Sequence, residues 1–442
     1  MHNVLDPCDI VPDEAEQLTH SGYDASQLLT EARRAAADGD IALLKSIADE
    51  LQTLNRSAGW TFVEPEDDEE LLALGSGATF SRPDDDALLD RLRGAWTGRA
   101  IGNTMGKPVE GLSRQEVEIY LRAAGQWPQR GYIRLLDPLP EGIAALHPSA
   151  RESSLGTFSD VPRDDDIDWA ILTLHMLEQH GIGLTTADIA DHWLDRIPFT
   201  QTYTAERAAY RNLTSGLTPP LTATFNNPYR EWVGALIRAD VYGFVNPGRP
   251  SEATRLALID ARLSHVGNGV YGEMWAAALL SIALCVDTPE EALDGAAAFV
   301  PPGSRLAAAL RGLRDLHARG VPADEALNWI DRELGHYNWV HTIICAAAIA
   351  YGLLWGTDFV DSVALTVSVG RDTDSTAATV GSVVGALHGF RALPTDLIGT
   401  THRRIRSSIR DYDRVAIEEL AERTLAVEAR VARELERTRA HA

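Results

Sequence analysis

Two acidic knots carry the clearest chemistry in the chain. One reads "VPRDDDIDWAILTLHML", with Asp164, Asp165 and Asp166 directly before an apolar helical run and Asp168 in its first turn. The other reads "GRDTDSTAA", in which Asp372 and Asp374 straddle Thr373 and Ser375 follows, again at the start of an apolar helix. Taken singly, an aspartate or serine at such a place is a helix cap, its oxygen accepting a free backbone N–H. Brought face to face, the two knots would repel unless a cation joined them. Carboxylate and hydroxyl oxygens without His or Cys are hard ligands, which selects magnesium, with manganese or calcium as alternatives. The ligand count suits two ions close together.

A third piece is "RLRGAWTGRAIGNTMGKPVEG". Gly94, Gly98, Gly102 and Gly106 recur every four residues, giving a helix one face without side chains against which another backbone can lie closely. Glu110 follows the Lys107-Pro108 turn, where a carboxylate just past a helix end can point into a pocket or simply be solvated.

The elements that position these residues are helical. "MWAAALLSIALCV", "TIICAAAIAYGLLW" and "STAATVGSVVGALHG" are apolar on most sides, as helices buried within a large domain are. Residues 12 to 57 read as short helices, and 59 to 86, rich in Gly, Pro and acids, as a linker wrapping onto the main body. "GYIRLLDP" is the one strand-like run. The basic run "THRRIRSSIRDYDR" reads as a solvated helix face, and the last segment, from "RVAIEELAERT" on, as a long amphipathic helix packed on the outside. The expected fold is all-α: residues 1–84 form an N-terminal helical extension and linker, and 85–442 a single, large, orthogonally packed helical domain.

Composition sets the class. The 442 residues, 45% hydrophobic and 24% charged, describe a folded globular protein. With 40 Lys and Arg against 64 Asp and Glu, the formal net charge of −24 argues against nucleic acid, whose binding rests on neutralising phosphates. No apolar stretch approaches membrane-spanning length and the N-terminal residues lack an export-signal pattern, so a cytoplasmic protein is expected. Cys8, Cys285 and Cys345 show no paired spacing.

In this order the pieces resemble the ADP-ribosylglycohydrolase family, over roughly residues 88 to 390. There a Gly-rich first helix ending in a glutamate, a Thr-Asp-Asp-Thr segment and a C-terminal Gly-Gly-Asp-Thr-Asp-Thr/Ser segment converge on two magnesium ions. The matching stretches are Gly94 to Glu110, Asp164 to Ile167 and Gly370 to Ser375, and "GALIRADVYG" and "LSHVGNGVYGEMWAAALLSIAL" resemble the family's middle segments. The resemblance implies Asp164, Asp165, Asp166, Asp372, Asp374 and Ser375 as ligands of two Mg2+ ions, with Mn2+ the alternative. Glu110 and Asp166 are then the carboxylates closest to the chemistry. The implied reaction is hydrolysis of the N- or O-glycosidic bond at the distal ribose of an ADP-ribosylated protein or small molecule. A nucleoside-like metabolite is the alternative substrate, and a catalytically silent binding protein the alternative role.

The chain departs from that pattern at Asp164 and Ile167 in place of threonines, at Arg371 in place of a glycine, and at Asn103 where the first helix often has Asp. Arg371 offers a guanidinium that can pair with an aspartate or reach a substrate anion. Asn226, Asn227, Arg238, His265, Asn268, Tyr271 and His341 lie beside aromatic residues and turn signals, as in a sugar or base pocket, and complete the expected substrate-binding set with Arg371.

Overall fold

A computed structural model describes residues 5–399 and 403–441. Helices dominate it. The extension supplies α1 (Pro7–His20), α2 (Ser26–Asp38) and α3 (Ile41–Leu51); the body is organised around α4 (Asp85–Gly106), α5 (Asp165–His180), α6 (Gly267–Ala283), α7 (Thr342–Trp355), α8 (Thr373–His388) and α9 (Ile417–His441). The Ala-rich runs are buried helices as expected: every residue of α6 is buried, as is all of α7 except Trp355 and all of α8 except His388. No helix among the described residues is long and apolar enough to cross a membrane.

The glycine stripe of α4 has a partner. A Cβ built on Gly94, Gly98, Gly102 or Gly106 would lie 2.2, 2.0, 2.0 or 2.1 Å from the carbonyl oxygen of Gly385, Gly381, Ala377 or Thr373. The descending partner numbers show that α4 and α8 run antiparallel, backbone against backbone. The end of α4 therefore meets the start of α8. Thr373 fastens that junction by donating its Oγ1–H to the Gly106 carbonyl at 2.8 Å.

Beyond α4 the chain is tied to the loop before α8. The Gly111 N–H donates to the Arg371 carbonyl at 2.9 Å, and the Arg371 N–H to the Leu112 carbonyl at 2.7 Å. Gly370 (φ +71°) and Arg371 (φ +69°) both take the left-handed conformation this close approach demands. That geometry explains why the related motif carries glycine where this chain has Arg371.

The extension has its own small core, built from Val11, Ala15, Leu28, Ala32, Leu44 and Ile47 among others. Polar contacts fix it to the body. Arg305 grips Glu64 (Nε–Oε1 2.8 Å) and Glu231 (Nη2–Oε1 2.8 Å), both ends of the pair almost fully buried. Glu231 also accepts from Gln17 of α1 at 2.6 Å. Glu14 pairs with Arg230 at 2.6 and 2.8 Å. The segment from 59 to 84 runs over the body as a strap, bonding Gly303 through Val63, Gly248 through Phe80, and Glu428 through Arg82.

Two expectations are corrected. The basic run is not a helix: Arg404–Ile405 (β1) and Val415–Ala416 (β2) pair antiparallel, and the loop between them wraps Asp168, which accepts from Ser407 Oγ at 2.6 Å and the Ser408 N–H at 3.1 Å. Satisfying that buried carboxylate requires loop amides that a helix would have spent internally. Thr401 and His402 of that run lie outside the described residues. "GYIRLLDP" forms no strand; it runs irregularly, with Ile133 buried and Tyr132 donating to the Leu397 carbonyl at 2.7 Å.

These contacts generate two tests. Gly102→Ala should lower unfolding free energy by about 2 kcal/mol or more, because the helix-propensity gain of up to ~1 kcal/mol is outweighed by pushing two backbones apart. Gly183→Ala, whose Cβ meets open space, should stay within about 0.5 kcal/mol of wild type in urea titrations; equal losses at the two sites would refute the close-contact assignment. The second concerns Glu231, where burial favours the neutral acid but the Arg305 charge wins and holds the carboxyl well below its usual range. A depressed folded pKa gives stability that is present above the unfolded value of about 4.3 and lost as pH falls. Arg305→Met should therefore cost about 3–5 kcal/mol at pH 7, and the gap to wild type should narrow towards pH 4. A gap independent of pH would exclude Glu231 as the partner that matters.

Candidate metal centre

The helix pair delivers three sets of acids to one place. Glu110 arrives on the turn after α4, Asp164 and Asp166 at the start of α5, and Asp372, Asp374 and Ser375 at the start of α8. Asp164, Asp166 and Asp374 each place a carboxylate oxygen within 4.8 Å of the others, and all three are buried. They could hold a metal ion.

Each acid has a distinct local role. Asp164 is a true cap, its Oδ1 accepting the Asp166 N–H at 3.1 Å. Asp372 makes no side-chain cap; its Oδ1 lies 2.9 Å from Ser375 Oγ and its Oδ2 3.7 Å from Cys345 Sγ. Asp166 Oδ2 accepts from Asn103 Nδ2 at 3.1 Å and lies 3.3 Å from Ser375 Oγ. An aspartate at 103 could not make that donation. Asp166 Oδ1 and Asp374 Oδ1 are buried with no hydrogen-bond partner. Orphaned carboxylate oxygens of this kind are costly and are what a cation satisfies, so the donor set fits a hard divalent ion. Asp165, Glu110 and His147 are each half-buried, and His147 Nδ1 lies 3.1 Å from Glu110 Oε2.

A residue without a sequence-based role sits at the middle. Lys107, 7% exposed, places its ammonium 2.6 Å from Asp164 Oδ2, 2.6 Å from Asp374 Oδ2 and 2.8 Å from Glu110 Oε2. Burial disfavours its charge, but Asp164, Asp374 and Glu110 outweigh that and hold its pKa well above the usual lysine value. One ammonium cannot offset every acid around it. Burial pushes the Glu110 carboxyl up to about 8, with Asp374 adding to the shift and Lys107 opposing it. Burial and then Asp164 push Asp165 up to about 7. Asp166 and Asp372 lie well above the carboxylate range, chiefly through burial and then neighbouring aspartates. Asp164 goes the other way, because Lys107 overrides the effect of burial.

Arg99 holds the cluster from behind. Fully buried, it donates from Nε at 3.0 Å and Nη2 at 2.6 Å to the Asp166 carbonyl, and pairs with Asp240 at 2.8 Å. Arg99 and Asn103 on α4 and Lys107 directly after its end recur every four residues, a polar stripe beside the glycine stripe. That spacing was the available signal for all three. Arg163 pairs with Asp168 at 2.8 Å, which keeps Asp168 on the outside of the cluster.

Of the expected substrate-binding residues, Arg371 borders the acidic cluster and the others make contacts away from it. Asn268 donates to Glu64 at 2.8 Å and Glu231 at 2.9 Å, and Tyr271 OH to the Pro65 carbonyl at 2.5 Å, so both serve the extension. His341 caps α7 and lies 3.6 Å from Glu231. Arg238 is locked among Glu206, Asp260 and Ser264, with His265 bonded to the same serine at 2.8 Å. Asn227 bonds the Ala223 and Ser264 carbonyls, and Asn226 is exposed. Arg371 pairs with Asp331 at 2.9 Å, and lines a small recess together with Trp339, Cys345 and Asp372.

Among curated proteins, an uncharacterized protein of Archaeoglobus fulgidus is 24% identical over 308 residues, covering 69% of this chain and 89% of that protein. Among solved structures, an ADP-ribosylglycohydrolase-related protein complex aligns at 23% identity and a TM-score of 0.47, over 78% of this chain and 99% of that one. Residues 84–434 match the family model described as ADP-ribosylglycohydrolase. With that match spanning most of its length, the chain belongs to the ADP-ribosylglycohydrolase family.

Proposed function

We propose that the protein is a hydrolase of an N- or O-glycosidic bond to the distal ribose of ADP-ribose, working with a divalent cation held by Asp164, Asp166 and Asp374. The observation that carries this reading is the pair of buried, unpartnered oxygens, Asp166 Oδ1 and Asp374 Oδ1, within a cluster of three buried aspartates. A bound Mg2+ or Mn2+ supplies orientation of the ribose hydroxyls and a bound water of lowered pKa.

The chain's own groups divide the remaining work. Glu110, at the half-buried rim, carries the proton that a departing oxygen or nitrogen needs, as the acid of a glycosidase does. Asp165, with a pKa pushed up to about 7, stands at the same rim, where a second proton-exchanging carboxyl serves the attacking water. Asn103 and Arg99 keep Asp166 oriented through its side chain and its carbonyl. Family membership favours an ADP-ribosyl conjugate as the substrate.

The test is release of ADP-ribose from a panel of N- and O-linked ADP-ribosyl conjugates, followed chromatographically with and without Mg2+. Wild type should release ADP-ribose with Mg2+. Glu110→Gln and Asp374→Asn should each lose about 100-fold or more in rate while melting as folded proteins. Full activity in Asp374→Asn would remove the metal assignment. Cleavage of a nucleoside, with none of any ADP-ribosyl conjugate, would keep the glycosidic chemistry and change the substrate.

A further inference from the structure

The Lys107 ammonium donates a hydrogen bond to Asp374 Oδ2 at 2.6 Å and forms ion pairs with Asp164 Oδ2 at 2.6 Å and Glu110 Oε2 at 2.8 Å. Two of these acids also belong to the triad that could hold a metal. Among the described residues no other side-chain cation contacts Asp164 or Asp374, since Arg163 is turned to Asp168, Arg99 to Asp240 and Arg371 to Asp331. Lys107 is held there by its backbone. It directly follows Gly106, whose Cβ position is closed by the Thr373 carbonyl at 2.1 Å, so the lysine can leave the cluster only by swinging its side chain.

An oxygen 2.6 Å from an ammonium cannot also ligate a dication without bringing two like charges together. Asp164 Oδ2 and Asp374 Oδ2 are therefore already spent, while Asp166 Oδ1 and Asp374 Oδ1 have no hydrogen-bond partner and Asp164 Oδ1 accepts only the Asp166 N–H. Oxygens are left for one ion. We propose that Lys107 is a resident cation that takes one of the two cation positions of this cluster, so that the protein accepts at most one divalent ion and is stable without any. The inference rests on the reading of the cluster as a divalent-ion site and revises the two ions expected from the sequence.

The experiment is calorimetric titration of chelator-stripped protein with MnCl2, with bound Mn2+ counted by electron paramagnetic resonance. Wild type, Lys107→Met and Asp166→Asn are compared, each also melted with and without chelator. Wild type should bind one Mn2+, Asp166→Asn none, and Lys107→Met one ion more than wild type or one ion about tenfold tighter. The wild-type melting temperature should not fall when chelator is added. Lys107→Met should melt lower in chelator and recover with Mn2+, the ion replacing the lost ammonium. Equal stoichiometry and affinity in wild type and Lys107→Met, with Asp166→Asn still abolishing binding, would overturn this inference and leave the metal site standing. No Mn2+ binding by wild type or Lys107→Met would overturn both. Two ions bound by wild type would overturn the inference alone, whether or not Lys107→Met folds.

Discussion

The contact between two helices that meet backbone against backbone, along a glycine face of α4, sets the geometry of everything else. Along α4 and α8 the carbonyl oxygens of one backbone fill the space where a Cβ of the other would stand, as at Gly98 and Gly381, each closed by the other's oxygen. Contact this close allows Cα–H···O interactions and leaves the relative position of the helices little freedom. Because they run antiparallel, the last residues of one and the first of the other share one end. Lys107 and Glu110 meet Asp372 and Asp374 there as a consequence of packing.

That end of the pair is also where charge accumulates. A buried carboxylate without a partner is expensive, and a cluster of them more so. The chain answers in three ways: an ammonium among Asp164, Asp374 and Glu110, amide and hydroxyl donors to Asp166 and Asp372, and carboxyl pKa values that burial raises at Glu110, Asp165, Asp166 and Asp372. Each is incomplete, and the residue of the imbalance is what makes the place reactive. A carboxyl that holds its proton at neutral pH is a ready acid, and oxygens with no donor are ready ligands.

Much of the fold was legible in the sequence because it is written in regular spacings. The four-residue glycine repeat, the Ala-rich apolar runs and the acidic knots before them each report one local element, and the extension's boundary near residue 84 follows from a change in composition. The site was legible as a set of acids. Its centre was not: Lys107 reads as the first residue of a turn, and only packing turns its side chain inward. Arg99 was hidden in the same way, since a buried arginine in a glycine-rich helix has meaning only through Asp166 and Asp240. The polar residues of the middle segments have pocket-like neighbours in sequence, but Asn268 and Tyr271 find partners on the strap, through pairings more than 200 residues apart that no local pattern contains, and His341 lies against Glu231. The basic run misled for the opposite reason, its loop being dictated by a buried aspartate far away in the chain.

The strap from 59 to 84 has a bearing on the order in which the chain can assemble. Helices α1 to α3 carry their own small core and can collapse as soon as they are made. The partners of the strap come late: Arg305 follows Glu64 by 241 residues, and Glu428 follows Arg82 by 346. Glu64 lacks its partners until Asn268 and Arg305 are present, and Arg82 until Glu428 of the C-terminal helix is. Such closures across most of the chain are slow steps in folding. The strap thus works as a clasp whose two ends are fastened by different parts of the body, Glu64 by Arg305 and Arg82 by Glu428, 241 and 346 residues further along the chain.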